Sequence, residues 1–360
     1  MRVESSQLVP GCVLLKEVNG KTNKPIIPKK TVLTDQHITI LHKFLAETVD
    51  VSATLADGEP FQPELKKEKH EQKKVEQSST GSFERYYRET VDRYKKLFNN
   101  WQNNIAIDTP AVRDSLVPFF EMVDDIGSAV YKLNQYANRK DYVFHHSVAV
   151  GILSAFLAKK MGYEKGEWLQ IGLAGSLSDC GMARMDEADV MRNRSLTFSE
   201  LEKIKKHPVY SYRMIEKAPA ITSAVKLAVL QHHERLDGSG YPLGLTQEKI
   251  HIYPRIIAVC DLYHRMTCGW LYNQKQSPFS TVEKLQKDQV TKLDHQVVQV
   301  FIDSFTNSLA GTNVRLSTNQ TGVIVFMDKK RPAHPIIRLD GSNELLPLQD
   351  HPAVYIDELL

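Results

Sequence analysis

The chain has little of what staples a small secreted fold together. Its four cysteines, Cys12, Cys180, Cys260 and Cys268, are scattered through 360 residues without a CxxC pair. That spacing offers no disulfide framework and points to a reduced, cytoplasmic protein. Cys180 and Cys260 each neighbour an aspartate, and a buried small apolar role accounts for them without thiol chemistry. An excess of one charge is also missing: 46 Lys and Arg face 43 Asp and Glu, a formal charge of +3, with bases interleaved among acids. A nucleic-acid polymer is therefore not an expected partner. No apolar run approaches the ~18 residues of a membrane span. The longest, GILSAFLA (151–158), has the length of a buried helix segment, and the opening MRVESSQLVPG lacks the apolar stretch of a signal peptide. No internal repeat is present.

What remains is long enough for one large core with one or two smaller modules. Residues 1–58 read as a small α/β unit. VPGCVLLKEV (9–18) and KPIIP (24–28) are short extended segments, and Thr34 or Asp35 caps a helix over 36–47 with Ile38, Leu41 and Leu45 at helical spacing. Residues 61–80, rich in Lys, Glu and Gln, bury too little to fold alone and read as a charged linker with partial helix. From 82 to 310 the periodicity is helical, with segments at 113–138, 141–161, 165–178, 199–217, 220–233, 253–268 and 293–308. After Gly311 apolar and polar residues alternate between turns, so 311–360 reads as a small β unit. The expected fold is mainly α, a helical core with small N-terminal α/β and C-terminal β units.

Several polar residues fall on the inward faces of these helices. His146 lies three after Val143 and four before Val150. Asp179 shares a side with Leu169, Gly172 and Ser176, and His207 follows Ile204 by three. His232 continues the face of Val225 and Val229, His233 that of Val229 and Leu230, and Asp261 lies four after Ile257. A single histidine on an apolar face is usually a core residue bonded to backbone. Six ionisable groups in one helical domain ask for a partner, because each costs kcal/mol to bury unpaired. A metal ion supplies it, since neutral imidazoles and carboxylates are the usual ligands of Fe, Mn and Zn. Beside the paired histidines runs QHHERLDGSGYPLGL (231–245). Its turn dipeptides need no function singly, but HHExxDGxGYP as a whole is long and rare by chance.

At these residues the sequence resembles the HD-GYP family of HD-domain phosphohydrolases, over roughly 120–310. The resemblance implies an all-α domain with two or three metal ions, often iron or manganese. It also implies hydrolysis of the bacterial signalling nucleotide cyclic di-GMP to pGpG or GMP. By resemblance His146 is the first-helix histidine, and SDCGM (178–182) stands at the family's HDxGK. His207 is the histidine of its HP segment, His232 and His233 the paired histidines, and Asp261 the aspartate closing the metal site. The loop from Asp237 through Gly240 and Tyr241 to Pro242 is the GYP loop, on the substrate side. One ion takes Asp179, His207, His232 and His233. The other takes His146, Asp179, Asp261 and a histidine that is missing here. Asp179, as the bridging carboxylate, carries the catalytic role.

The departures cluster. Ser178 replaces the HD histidine and Met182 the lysine that meets the scissile phosphate. Tyr142 stands where a third-metal glutamate would be, and His264 replaces the second aspartate of DxxDA. Trp270 and Asn273 replace two arginines of an RPYR-like, phosphate-binding segment. Serine is a poor neutral ligand beside imidazole, so one ion or two are expected, the second held weakly. Loss of one electrostatic donor costs roughly two to three decades in rate. The reading is a divergent metal-dependent cyclic di-GMP phosphodiesterase weakened at these positions. Two alternatives stand beside it: an inactive sensor or scaffold that binds the nucleotide or a signalling protein, and an HD phosphohydrolase of another nucleotide. A homodimer through the β unit is compatible with all three.

Overall fold

A computed structural model describes residues 1–4, 7–16, 18–19, 25–34, 37–38, 41, 48–61, 71–122, 127–186, 197–269, 275–342 and 344–360. The chain divides into two compact units, 1–77 and 78–360. In the first, strand β1 (Arg2–Glu4) pairs antiparallel with β4 (Thr48–Asp50), and β2 (Val18–Asn19) with β3 (Pro25–Ile27). Val3, Leu14, Ile27, Leu33, Leu41 and Val51 make its core. Most of the helix expected over 36–47 lies outside the described residues, as does 62–70 of the linker. From Glu71 the chain is already helical, so the charged segment runs into a long helix rather than ending near 80.

The second unit is mainly helical, as its periodicity indicates. Its α-helices among the described residues are α1 (Glu71–Gln102, the start lying in the first unit), α2 (Thr109–Glu121), α3 (Tyr142–Lys160), α4 (Lys165–Leu177), α5 (Phe198–Ile204), α6 (His207–Ile215), α7 (Ser223–Gln231), α8 (Ile252–Cys268), α9 (Pro278–Asp288) and α10 (His295–Leu309). Helix α3 is the centre: every residue from Tyr142 to Ala158 is buried. It is long and apolar enough to cross a membrane by length and composition alone, but here nearly all of its apolar stretch is inside the protein. It packs tightly on α4 because Gly151 has no side chain; a Cβ there would stand 1.9 Å from Ser176 Oγ and 2.9 Å from the Gly172 carbonyl. Two tyrosines of α1 tie it to this pair, Tyr87 donating to the His145 carbonyl at 3.2 Å and Tyr94 to that of Ser176 at 2.6 Å.

Two segments divide differently from the sequence reading, and one helix is additional. The 113–138 segment is α2 followed by a 3-10 stretch, Gly127–Gln135, entered at positive φ by Gly127. The 199–217 segment is two helices. Thr197 and Glu200 form a capping box at the start of α5, and Pro208, which fits a first helical turn, opens α6 immediately after His207. Helix α9 is additional; Ser277 caps it, with Pro278 at its first position.

Strands β5 (Asn313–Leu316), β6 (Thr321–Phe326), β7 (Ile336–Leu339), β8 (Leu345–Pro347) and β9 (Ile356–Leu359) form one antiparallel sheet of order β8-β7-β6-β5-β9. Alternation buries Val314, Leu316, Ile324, Ile337, Ile356 and Leu359 in the same core as Phe301 and Phe305 of α10. The sheet is thus part of the helical unit. Lys132 and Gln135 donate to the carbonyls of Leu360 and Leu359.

Candidate metal centre

Four chain segments converge under α3. Asp179 follows the end of α4, His207 begins α6, His232 and His233 follow α7, and Asp261 sits mid-α8. Asp179, His207, His232 and His233 each offer a ligand atom, all within 4.8 Å of one another. The three histidines are buried, and the Asp179 side chain is 14% exposed.

Their protons are directed by backbone. His207 Nδ1 lies 2.7 Å from the Ile204 carbonyl and His232 Nδ1 2.8 Å from that of Val229, so each donates there and leaves its Nε2 bare. Those two Nε2 atoms face each other at 3.3 Å, with Asp179 Oδ1 at 3.0 and 3.6 Å. Two imidazole lone pairs and a carboxylate oxygen turned on one point are a donor set that could hold a cation. His233 Nδ1 is buried without a hydrogen-bond partner. Burial, followed by the neighbouring His232, pushes the His233 imidazole well below its usual pKa, which keeps it neutral. Neutral imidazoles with an ionised carboxylate fit a divalent ion.

This group is held by residues that the spacing argument did not single out. Gly181 approaches α6 so closely that a Cβ would lie 2.4 Å from both the His207 carbonyl and Ser211 N. Ser211 Oγ donates to the Ser178 carbonyl and accepts from Gly181 N, both at 2.7 Å, locking the Asp179 turn to α6. Glu234, buried, accepts from Leu243 N at 2.7 Å and Leu245 N at 2.9 Å and so pins the GYP loop. Its signal was its place inside HHE. Gly240 is forced by close approach, since a Cβ would meet Arg235 N at 2.3 Å and the His233 carbonyl at 2.5 Å. Tyr241 lies over His233, ring centroids 4.7 Å apart, and is joined to Pro242 by a cis peptide bond. Asp237 is exposed and holds Ser239 through its N–H and hydroxyl, a turn-forming role at the surface.

The second group of residues is arranged otherwise. His146 Nε2 lies 3.1 Å from Asp261 Oδ1 and 3.4 Å from Asp179 Oδ2. Its Nδ1 meets His264 Nδ1 at 3.0 Å and the Tyr142 hydroxyl at 3.2 Å. Ser178 turns its hydroxyl away, donating to the Ala174 carbonyl of its own helix at 2.8 Å. Arg265, one turn after Asp261, sets its guanidinium 3.2 Å from Asp261 Oδ2. Met182 is buried and lines a 190 Å³ cavity with Phe98 and Phe144. Trp270 and Asn273 lie outside the described residues. A 340 Å³ cavity adjoins Tyr142 and Cys268, lined also by Asn134, Asn138, Arg139 and Lys275. Cys268 Sγ is 3.6 Å from His264 Nε2.

A family model described as HD domain matches residues 129–297. The chain is 29% identical over 236 residues to the cyclic di-GMP phosphodiesterase PA4108 of Pseudomonas aeruginosa, covering 64% of this chain and 55% of that one. It is 30% identical over 197 residues to the cyclic di-GMP phosphodiesterase PdeB of Borreliella burgdorferi, covering 55% and 52%. It is 31% identical over 191 residues to the 3'3'-cGAMP-specific phosphodiesterase 1 of Vibrio cholerae, covering 51% and 44%. The chain spans about half the length of these curated relatives.

Proposed function

We propose that this chain, whose residues 129–297 match the HD domain model, is a metal-dependent phosphodiesterase of cyclic dinucleotides, with cyclic di-GMP the first substrate to test. The observation that carries the proposal is the convergence of Asp179 and the two bare Nε2 atoms of His207 and His232 on one point, with His233 beside them. These four residues would hold the ion; their donor chemistry suits iron, manganese or zinc, and the resemblance favours the first two. When bound, it supplies Lewis-acid stabilisation of charge on the phosphate.

The remaining chemistry belongs to the chain. Burial raises the Tyr241 phenol above its ordinary pKa, so it stays protonated and can donate to a phosphate oxygen. Arg139 and Lys275 offer positive charge along the 340 Å³ cavity. With Met182 in the lysine position, this chain lacks one cation at the phosphate, and turnover is reduced accordingly. A second reading, nucleotide binding without hydrolysis, is favoured by Ser178, whose hydroxyl is committed to Ala174 rather than to the site.

The test is hydrolysis of cyclic di-GMP and 3'3'-cGAMP by protein loaded with Fe(II) or Mn(II), read by chromatography of linear products, with Asp179→Asn as control. Metal-dependent product lost in the control supports the phosphodiesterase. Nucleotide binding by calorimetry with no product in either metal supports the scaffold instead.

A further inference from the structure

The residues that by resemblance take a second ion do not fit one as they stand. Asp261 Oδ1 meets His146 Nε2 at 3.1 Å, while its Oδ2, buried and without a hydrogen bond, forms an ion pair with the Arg265 guanidinium at 3.2 Å and lies 3.6 Å from His233 Nδ1. The His146 nitrogen that would face an ion stands at hydrogen-bond distance between two carboxylates, and its other nitrogen meets His264. The fourth position is Ser178, with its hydroxyl bonded to the Ala174 carbonyl. Arg265 is itself a departure: it stands where the DxxDA pattern has alanine, next to His264, where the pattern has aspartate.

A guanidinium is a cation at every accessible pH and cannot be a ligand. An ion bound to the Asp261 carboxylate at about 2.1 Å would lie within about 5 Å of that guanidinium, with like charge facing it. The Arg265 side chain is 28% exposed while Asp261 is 4% exposed, so Arg265 caps the carboxylate from the solvent side. We propose that Arg265 is a built-in replacement for the second metal ion, leaving a centre with one ion on Asp179, His207, His232 and His233. Asp261 is then a positioning residue that orients His146 and Arg265. This rests on the metal-dependent reading above and specifies how many ions that site holds. It also gives the loss of the HD histidine, the DxxDA aspartate and the DxxDA alanine one common cause, a second site converted from metal to guanidinium.

The experiment is metal stoichiometry, by Mn(II) titration calorimetry and by equilibrium dialysis with plasma mass spectrometry, on the full chain and three variants. Wild type is expected to saturate at one ion. Ser178→His alone is expected to stay at one, because Arg265 still holds Asp261. Ser178→His with Arg265→Ala is expected to reach two, and Ser178→His with Arg265→Lys, which keeps the charge, to stay at one. Thermal melting of each variant establishes that it is folded. Two ions in wild type, two in Ser178→His alone, two in the lysine double variant, or one in the alanine double variant each overturn the proposal while leaving the metal-dependent reading intact. No bound ion in wild type overturns both.

Discussion

His207 and His232 point their Nε2 atoms at each other across 3.3 Å, each ring fixed by an Nδ1 hydrogen bond to the carbonyl three residues before it. Neither ring can turn without losing that bond, so the pair is preorganised for a cation before one arrives. Replacing His207 with alanine removes one donor and leaves the other lone pair and Asp179 unopposed. Mn(II) affinity is expected to fall by more than about a hundredfold in calorimetry. An unchanged affinity would place the ion elsewhere.

Because the lone pairs converge in the folded state alone, ion binding is linked to folding. At a free ion concentration a hundred times Kd, the folded chain should gain about 2.7 kcal/mol. The readout is the thermal midpoint with Mn(II) against a chelator. The same comparison on Asp179→Asn should show most of that gain gone, whereas an equal gain would mean stabilisation by a different site.

Glu234 acts through the loop it holds. Glu234→Gln keeps the length but loses the charge, while Glu234→Ala leaves the N–H groups of Leu243 and Leu245 without their acceptor. The alanine variant is expected to lose on the order of 3 kcal/mol, the glutamine variant less than half of that, in urea denaturation. Equal losses in the two would show that packing, not the two hydrogen bonds, is what Glu234 supplies.

Gly181→Ala tests the clamp between the Asp179 turn and α6. The added methyl meets backbone atoms at 2.4 Å, which cannot move aside as a flexible side chain would. The two segments must separate, so a destabilisation of about 3 kcal/mol is expected together with weakened metal binding. Stability lost without a change in metal affinity would mean that the Asp179–His207 distance does not depend on this contact.

Burial lifts the Cys268 thiol to about 12, partly opposed by the charge of Lys275. A raised thiol pKa means less thiolate, the reactive form, at any pH below it. At pH 8 alkylation of Cys268 by iodoacetamide is expected to run roughly a thousandfold slower than for a free cysteine, rising about tenfold per pH unit toward pH 11. Peptide mass spectrometry of a time course measures it. An ordinary rate at pH 8 would show that the cavity beside Tyr142 is wetter than its walls suggest.

The departures and the structure differ in what they make visible. Helical spacing put His146, His207, His232 and Asp261 each on an inward face, because a period of 3.6 is a property of local sequence. Arg265 was within reach by the same rule, four residues after Asp261 on one helix. Helix α9 carried its own signal, Ser277 followed by Pro278 and apolar residues at Phe279, Val282 and Leu285. Ser211 had no such signal. Its hydroxyl matters because two segments thirty residues apart touch there, and no local pattern encodes that contact.

The sequence by itself determined the helical class, the residue types of a candidate metal-binding set and the positions where that set departs from its pattern. These follow from periodicity and side-chain chemistry, which are written residue by residue. Tertiary structure decided which donors share one point, that the Ser178 hydroxyl turns back on its own helix, and that a guanidinium meets Asp261. Each of these is a relation between atoms on separate turns or segments, and distance across a packed core is set only when the core closes.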